Sequence, residues 1–143
     1  WYSILIKKII HEKINFLGIC LGMQILADFG FEFGKIKGLS IIKGSVERID
    51  TMGCKKTIPH IGWNDVSIRK KNLLFEGIKD NTDFYFDHSF SINCLNKEDI
   101  VATTCHDVDI VAVINRENIF GTQFHPEKSS DGGKQLLYNF LKL

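Results

Sequence analysis

The apolar positions change their period along the chain. Over residues 2–14, Ile6, Ile9 and Ile10 fall on one side and Lys7, Glu12 and Lys13 elsewhere, the spacing of an amphipathic helix. Phe16-Leu17-Gly18-Ile19-Cys20 follows as an unbroken apolar run, suited to a buried parallel strand. Gly22 and the run Met23 to Phe29 then predict a second helix, ended by Gly30. Helix, strand, tight turn and helix in that order belong to a parallel α/β sheet.

Residues 41–49 and 57–68 read differently. They are rich in β-branched side chains and broken by Gly44, Gly53, Pro59 and Gly62, which predicts short strands and turns. Further strands are expected at 83–87, 100–104, 109–115 and 118–124, with a hairpin around Asn115-Arg-Glu-Asn118. A final helix is expected from about Asp131 to Leu141, its apolar side formed by Leu136, Leu137, Phe140 and Leu141. The whole predicts one three-layer α/β domain over residues 1–143, with a mainly parallel central sheet and an antiparallel extension. A chain that opens on Trp1 and goes straight into an apolar helix also predicts that N-terminal strands of the sheet are missing from this sequence.

Composition agrees with a single soluble globular domain: 143 residues, 44% hydrophobic and 24% charged. A formal net charge of +1 gives no reason to expect nucleic acid or an anionic membrane as partner. No apolar run approaches the roughly 20 residues that span a bilayer, and no signal peptide is visible. Cysteines stand at 20, 54, 94 and 105, without the close spacing of zinc ligands or redox dithiols. A reduced, cytoplasmic location and free thiols are therefore expected, with no metal ion and no organic cofactor.

One of those thiols sits in a chemically suggestive place. Gly18-x-Cys20-x-Gly22 falls between a predicted strand and a predicted helix, where a sharp turn holds a nucleophile exposed and glycines relieve crowding. The helix N-terminus is expected to favour thiolate at Cys20, and the Leu21 N–H to point toward a developing oxyanion. In Gln123-Phe-His125-Pro-Glu127, His125 and Glu127 alternate and can share one side of a strand end, the arrangement of a base and its orienting carboxylate. Cys54, Cys94 and Cys105 lack glycine elbows and are assigned no role, and His11 and His106 are expected to face solvent.

With both motifs in one chain, Gly18-Ile-Cys-Leu-Gly-Met-Gln24 and Gly121-Thr-Gln-Phe-His-Pro-Glu127, the sequence resembles the class I, triad-type glutamine amidotransferases. Pro59-His-Ile-Gly-Trp-Asn64 and Glu127-Lys-Ser-Ser130 narrow the likeness to the glutaminase subunits of imidazole glycerol phosphate synthase, over residues 2–143. The resemblance implies a flavodoxin-like fold and a Cys20, His125, Glu127 triad that releases ammonia from glutamine through a thioester. It also implies substrate contacts at Gln24 and at the backbone of Ser89 and Phe90. Trp63 and Lys128 would then face a (β/α)₈-barrel cyclase subunit, a heterodimer partner that uses the ammonia for histidine biosynthesis. His60 is expected to pack or hydrogen-bond within the interface motif, and His88 to support the substrate segment.

Two departures from that pattern stand out. The glycine-rich loop that completes the family's oxyanion hole would precede residue 1, so only the Leu21 half is present here. Asp87 stands where an apolar residue is expected. An acid there leaves open a glutaminase that feeds a sugar-nucleotide amidotransferase of surface polysaccharide synthesis, and the expected N-terminal truncation leaves open a non-catalytic interaction module of the same fold.

Overall fold

The computed structural model describes residues 2–143. The predicted first helix is present as α1 (Tyr2–Ile6), continued by a π-helical turn (Lys7–His11) whose Ile9 is buried. Strand β1 (Phe16–Ile19) leads into α2 (Leu21–Gln24). Then come β2 (Ala27–Gly30), β3 (Ile36–Lys37), β4 (Ile42–Arg48), β5 (His60–Ile68), β6 (Thr82–His88) and β7 (Phe90–Cys94). The chain ends with β8 (Ile100–His106), β9 (Val108–Arg116), β10 (Ile119–Thr122) and α3 (Ser130–Leu141).

The strands form two sheets: six strands in the order β1-β10-β9-β8-β5-β6, and four in the order β3-β2-β4-β7. Within residues 2–143 the larger sheet is mixed rather than mainly parallel. Only β1 and β10 run parallel in it, and the antiparallel extension supplies the other pairings. The reason is the length of the connections. Short links such as Asp107 between β8 and β9 can only turn a strand back on its neighbour, whereas parallel strands need a long crossover. At the β9/β10 hairpin, Asn115 Nδ2 donates to the Glu117 and Ile119 carbonyls at 2.9 and 3.0 Å, which fastens the predicted turn.

The three-layer arrangement follows from the two faces of the larger sheet. Phe16 and Ile119, partners in register, face the apolar cluster that holds Ile9, Ile42, Val46 and Ile92, so α1 and the smaller sheet cover this side. Leu17 and Phe120 face the opposite cluster, where Phe84 and Phe124 lie under Leu136 of α3. Phe84 and Phe124 stack at 4.2 Å.

One predicted element changes its nature. The helix expected through Phe29 stops after four residues, and Ala27–Gly30 joins the smaller sheet as β2. Phe29, Phe31 and Phe33 alternate with Gly30 and Glu32, a period of two that the helical reading passed over. The backbone spends its hydrogen bonds accordingly: the Ala27 carbonyl accepts from Ser40 N–H and the Asp28 carbonyl from Gly38 N–H. Two strands, β3 and β7, were not anticipated, and both belong to this smaller sheet.

Candidate active site

Parallel pairing of β1 with β10 brings the two motifs together. Ile19 is in register with Thr122, and the Cys20 N–H donates to the Thr122 carbonyl at 2.7 Å. Cys20 thus emerges from the sheet beside Gln123, two residues before His125. Its backbone is forced into φ 51°, ψ −107°, a conformation that a non-glycine residue adopts only under constraint. The turn is possible because Gly18 has no side chain: a Cβ there would lie 2.3 Å from the Gly22 carbonyl oxygen. Gly22 itself has open space where a Cβ would go, so the crowding is relieved on one side of Cys20 only.

His125 and Glu127 meet as expected, with Nδ1 and Oε1 2.7 Å apart. The turn that carries them is tied down twice. His125 N–H donates to the Tyr85 carbonyl at 2.8 Å, and Ser129 Oγ donates to the His125 carbonyl at 2.6 Å while accepting from Tyr85 N–H at 2.9 Å. The Glu127 carboxylate accepts from Nδ1, which leaves Nε2 bare in the neutral ring.

The protonation state of Cys20 departs from expectation. Burial pushes its thiol above the ordinary value, and the carboxylates of Asp87 and Glu127 add to the rise. The Leu21 N–H and the Gln123 side chain pull the other way and do not prevail. A four-residue helix supplies little dipole, so removal of the sulfur from water decides the outcome.

Around the sulfur the side chains form a connected set. Gln123, fully buried, donates from Nε2 to Cys20 Sγ at 3.7 Å. Gln24 Nε2 donates to the Gln123 Oε1 at 3.2 Å and to the Phe90 carbonyl at 2.9 Å. The Phe90 carbonyl also accepts from His88 Nδ1 at 2.8 Å, and Ser89 offers its carbonyl to Ile49 N–H at 3.0 Å. Cys20, Gln24 and Phe90 are therefore brought together, and Gln123 is the member that the sequence reading left without a role. Its signal was its place in the same motif as His125. Beside α2 a cavity of about 140 Å³ is lined by Leu21, Gln24, Phe31 and Lys37.

Trp63 and Lys128 converge on a different feature, the ring of Tyr85. The Trp63 ring meets it edge-on at 6.0 Å, and Lys128 Nζ lies 5.8 Å from its centroid. Both are exposed, as is Ile61 two residues before Trp63 on β5. His106, expected in solvent, is instead half-buried, stacked on His60 at 4.2 Å, with Nε2 at 3.0 Å from the Thr57 carbonyl. Among the described residues no group of three or more His, Cys, Asp or Glu side chains is placed to hold a metal ion, and no helix is long and apolar enough to cross a membrane.

Residues 3–143 match the family model described as glutamine amidotransferase class-I. The chain is 47% identical over 138 residues to a protein of Methanocaldococcus jannaschii called imidazole glycerol phosphate synthase subunit HisH, covering 96% of this chain and 68% of that protein. Proteins of the same name from Pelagibacter ubique and Leptospira borgpetersenii are 46% and 45% identical, over 94% and 99% of this chain. The chain spans only 64% and 70% of the length of those two relatives. Among solved structures, one described as a glutamine amidotransferase superposes with a TM-score of 0.70 at 18% identity, over 99% of this chain and 66% of its own. A glutamine amidotransferase of Thermotoga maritima gives 0.64 at 22% identity, over 99% and 52%. At such identities the likeness speaks for the fold.

Proposed function

Because this chain belongs to the class-I glutamine amidotransferases, we propose that it hydrolyses glutamine to glutamate and ammonia as the glutaminase subunit of an imidazole glycerol phosphate synthase. The observation that carries the reading is the strained Cys20 elbow, held by strand pairing beside the strand that ends in the His125–Glu127 pair. The names of the relatives at 45–47% identity support the choice of synthase.

The chemistry follows from the geometry. Burial keeps Cys20 as a thiol, so His125 has to take its proton as the sulfur attacks the side-chain amide carbon of glutamine. The Leu21 N–H, which already faces the sulfur, donates to the oxyanion. Collapse of the tetrahedral species expels ammonia, which carries away the proton from His125, and leaves a Cys20 thioester. Water, deprotonated by the same imidazole, then releases glutamate. Glu127 holds the ring in one tautomer throughout. Gln24 has its amide nitrogen fixed by Phe90 and Gln123, which leaves its carbonyl oxygen to meet the substrate, with the Ser89–Phe90 backbone beside it.

Ammonia released in this way would pass to a (β/α)₈-barrel cyclase docked over the exposed Trp63 and Lys128 and the half-buried Tyr85 between them. The product would enter histidine biosynthesis in the cytoplasm. The test is labelling with the glutamine-like electrophile 6-diazo-5-oxo-L-norleucine, with and without an imidazole glycerol phosphate cyclase, read by peptide mass spectrometry. Modification at Cys20 that strengthens with the cyclase is expected. Labelling indifferent to the cyclase would move the acceptor elsewhere, toward the sugar-nucleotide synthases that Asp87 leaves open. No labelling of Cys20 under any condition would sink the enzyme reading.

A further inference from the structure

His60 and His88 are both buried, are separated by 28 residues in sequence, and stand directly opposite each other on β5 and β6. Neither takes part in the chemistry above. Their rings make a chain of hydrogen bonds whose direction can be worked out from its two ends. The Phe90 carbonyl can only accept, so His88 Nδ1, at 2.8 Å, carries a proton. A neutral His88 then has a bare Nε2, and the atom facing it at 2.9 Å, His60 Nδ1, has to donate. His60 Nε2 is left as an acceptor, and Asn64 Nδ2 lies 3.1 Å from it. That amide is oriented independently: its nitrogen also donates to the Cys105 carbonyl at 2.9 Å, and its oxygen accepts from Asp65 N–H at 3.0 Å. Every donor and acceptor along the row is matched, with both imidazoles neutral. The His60 ring is also held by stacking, on Phe86 at 4.7 Å and on His106 at 4.2 Å.

What the row ends on gives it meaning. The Phe90 carbonyl accepts both the His88 proton and the Gln24 amide, so its two lone pairs are occupied and its orientation is set by both. Gln24 passes to Gln123, and Gln123 to the Cys20 sulfur. The other end lies on β5, where Asn64 follows the exposed Trp63. We propose that His60 and His88 are positioning residues: a directional hydrogen-bond strut that links the Trp63 strand to the Phe90 carbonyl and thereby holds Gln24 and Gln123 in place around Cys20. That those side chains receive a glutamine rests on the functional reading above, but the strut itself does not. Displacement of β5 at Trp63 would be transmitted to the nucleophile's surroundings through five side chains, without movement of the triad.

Three measurements decide it. In the unaltered chain, long-range ¹⁵N–¹H spectra should show both rings neutral at pH 7.5, protonated at Nδ1 and bare at Nε2. Either ring found as the other tautomer overturns the strut. His60→Phe keeps the stack and removes the donor, whereas His60→Asn keeps a nitrogen donor on the γ-carbon. The Gln24 side-chain amide resonances should shift in the Phe variant and return close to their original positions in the Asn variant. Gln24 resonances that ignore His60→Phe overturn the coupling, even if Cys20 proves never to react with glutamine analogues.

Where Cys20 does react, His60→Phe should slow labelling by 6-diazo-5-oxo-L-norleucine roughly fivefold to tenfold, the loss expected of one buried hydrogen bond. Labelling by iodoacetamide, which needs no substrate pocket and feels only the Gln123 contact to the sulfur, should fall much less, and His60→Asn should restore the first rate. An equal fall with both reagents would mean general loosening and would count against the proposal. Failure of the unaltered chain to label, with the tautomers and Gln24 shifts as expected, would remove the glutaminase reading and leave the strut standing.

Discussion

Cys20, the proposed nucleophile, is held back by its surroundings. Its sulfur lies beside the Asp87 backbone carbonyl, at 3.9 Å, and the Asp87 and Glu127 carboxylates both disfavour a thiolate there. Asp87→Asn removes one of those charges and leaves the backbone contact. Alkylation of Cys20 by iodoacetamide, followed against pH, should then titrate at a lower pKa and run a few-fold faster near neutrality. It should not reach the profile of an exposed thiol, because burial is the larger cause and persists. An unchanged profile would mean that solvent screens Asp87 from the sulfur. The His60–His88 pair gives a second prediction at this scale. Burial, with like charge at His88, His106 and Lys56 for His60, and at His106 and His125 for His88, lowers the two rings to about 3 and about 4, against the opposing hydrogen bond to the Phe90 carbonyl and the Asp87 charge on His88. Both folded-state values lie below the ordinary 6.5, so between pH 6.5 and 4 the unfolded chain binds protons that the folded chain refuses. Stability should be full above about pH 6.5 and fall as the pH drops toward 4, by ~1.4 kcal/mol for each pKa unit of difference in each ring. Urea midpoints across that range check it, and His60→Phe should make the dependence shallower. The Cys20 elbow and the His125–Glu127 pair were legible in the sequence because each is a local motif. The charges that tune it were not, because Asp87 reaches Cys20 from 67 residues away.

Elements position these groups through a few close approaches, and the elbow between β1 and α2 is the tightest. Gly18→Ala would push a methyl group into the Gly22 carbonyl at 2.3 Å and the Met23 nitrogen at 2.8 Å, both backbone atoms with no room to give. Gly22→Ala meets nothing within 4 Å, and there an alanine favours the helical backbone by about 1 kcal/mol. Thermal unfolding should therefore separate the two: a large loss for the first, and a neutral or slightly raised midpoint for the second. Equal losses would mean that the turn itself, rather than the Gly18 approach, is the constraint. The same stretch shows how far periodicity carries. Helix α1, helix α3 and strands β1, β4, β5, β6, β8, β9 and β10 follow their apolar patterns. The stretch after α2 does not, because 25–30 hold apolar residues compatible with either period, and contacts with residues 38–48 choose the strand.

At the scale of the whole molecule, two sheets have to stay packed for Gln24, which follows β1 of the larger, to meet the Phe90 carbonyl on the smaller. The apolar cluster of Ile42, Val46, Ile92, Ile114 and Ile119 spans both. Arg116 adds a polar tie at its edge. From the end of β9 it grips the buried Asp99 with two donors, Nε at 3.1 Å and Nη2 at 2.6 Å, and gives Nη1 to the Ile41 carbonyl, just before β4, at 2.5 Å. Nothing in the sequence marked Arg116, since the pairing joins a hairpin tip to residues 17 and 75 positions away. Arg116→Ala would strand the Asp99 carboxylate in the interior and leave the Ile41 carbonyl without its donor. Loss of one partner of a buried pair costs roughly 3–5 kcal/mol, a large share of a small domain's stability. Urea unfolding should show that loss, with Arg116→Lys intermediate because an ammonium keeps the charge and gives up the fork. The double variant Arg116→Ala, Asp99→Ala should recover part of it, since the stranded charge is then gone. Should Arg116→Ala alone unfold at the same urea concentration as the unaltered chain, the apolar cluster by itself would be holding the two sheets, and with them Gln24 and the Phe90 carbonyl, in register.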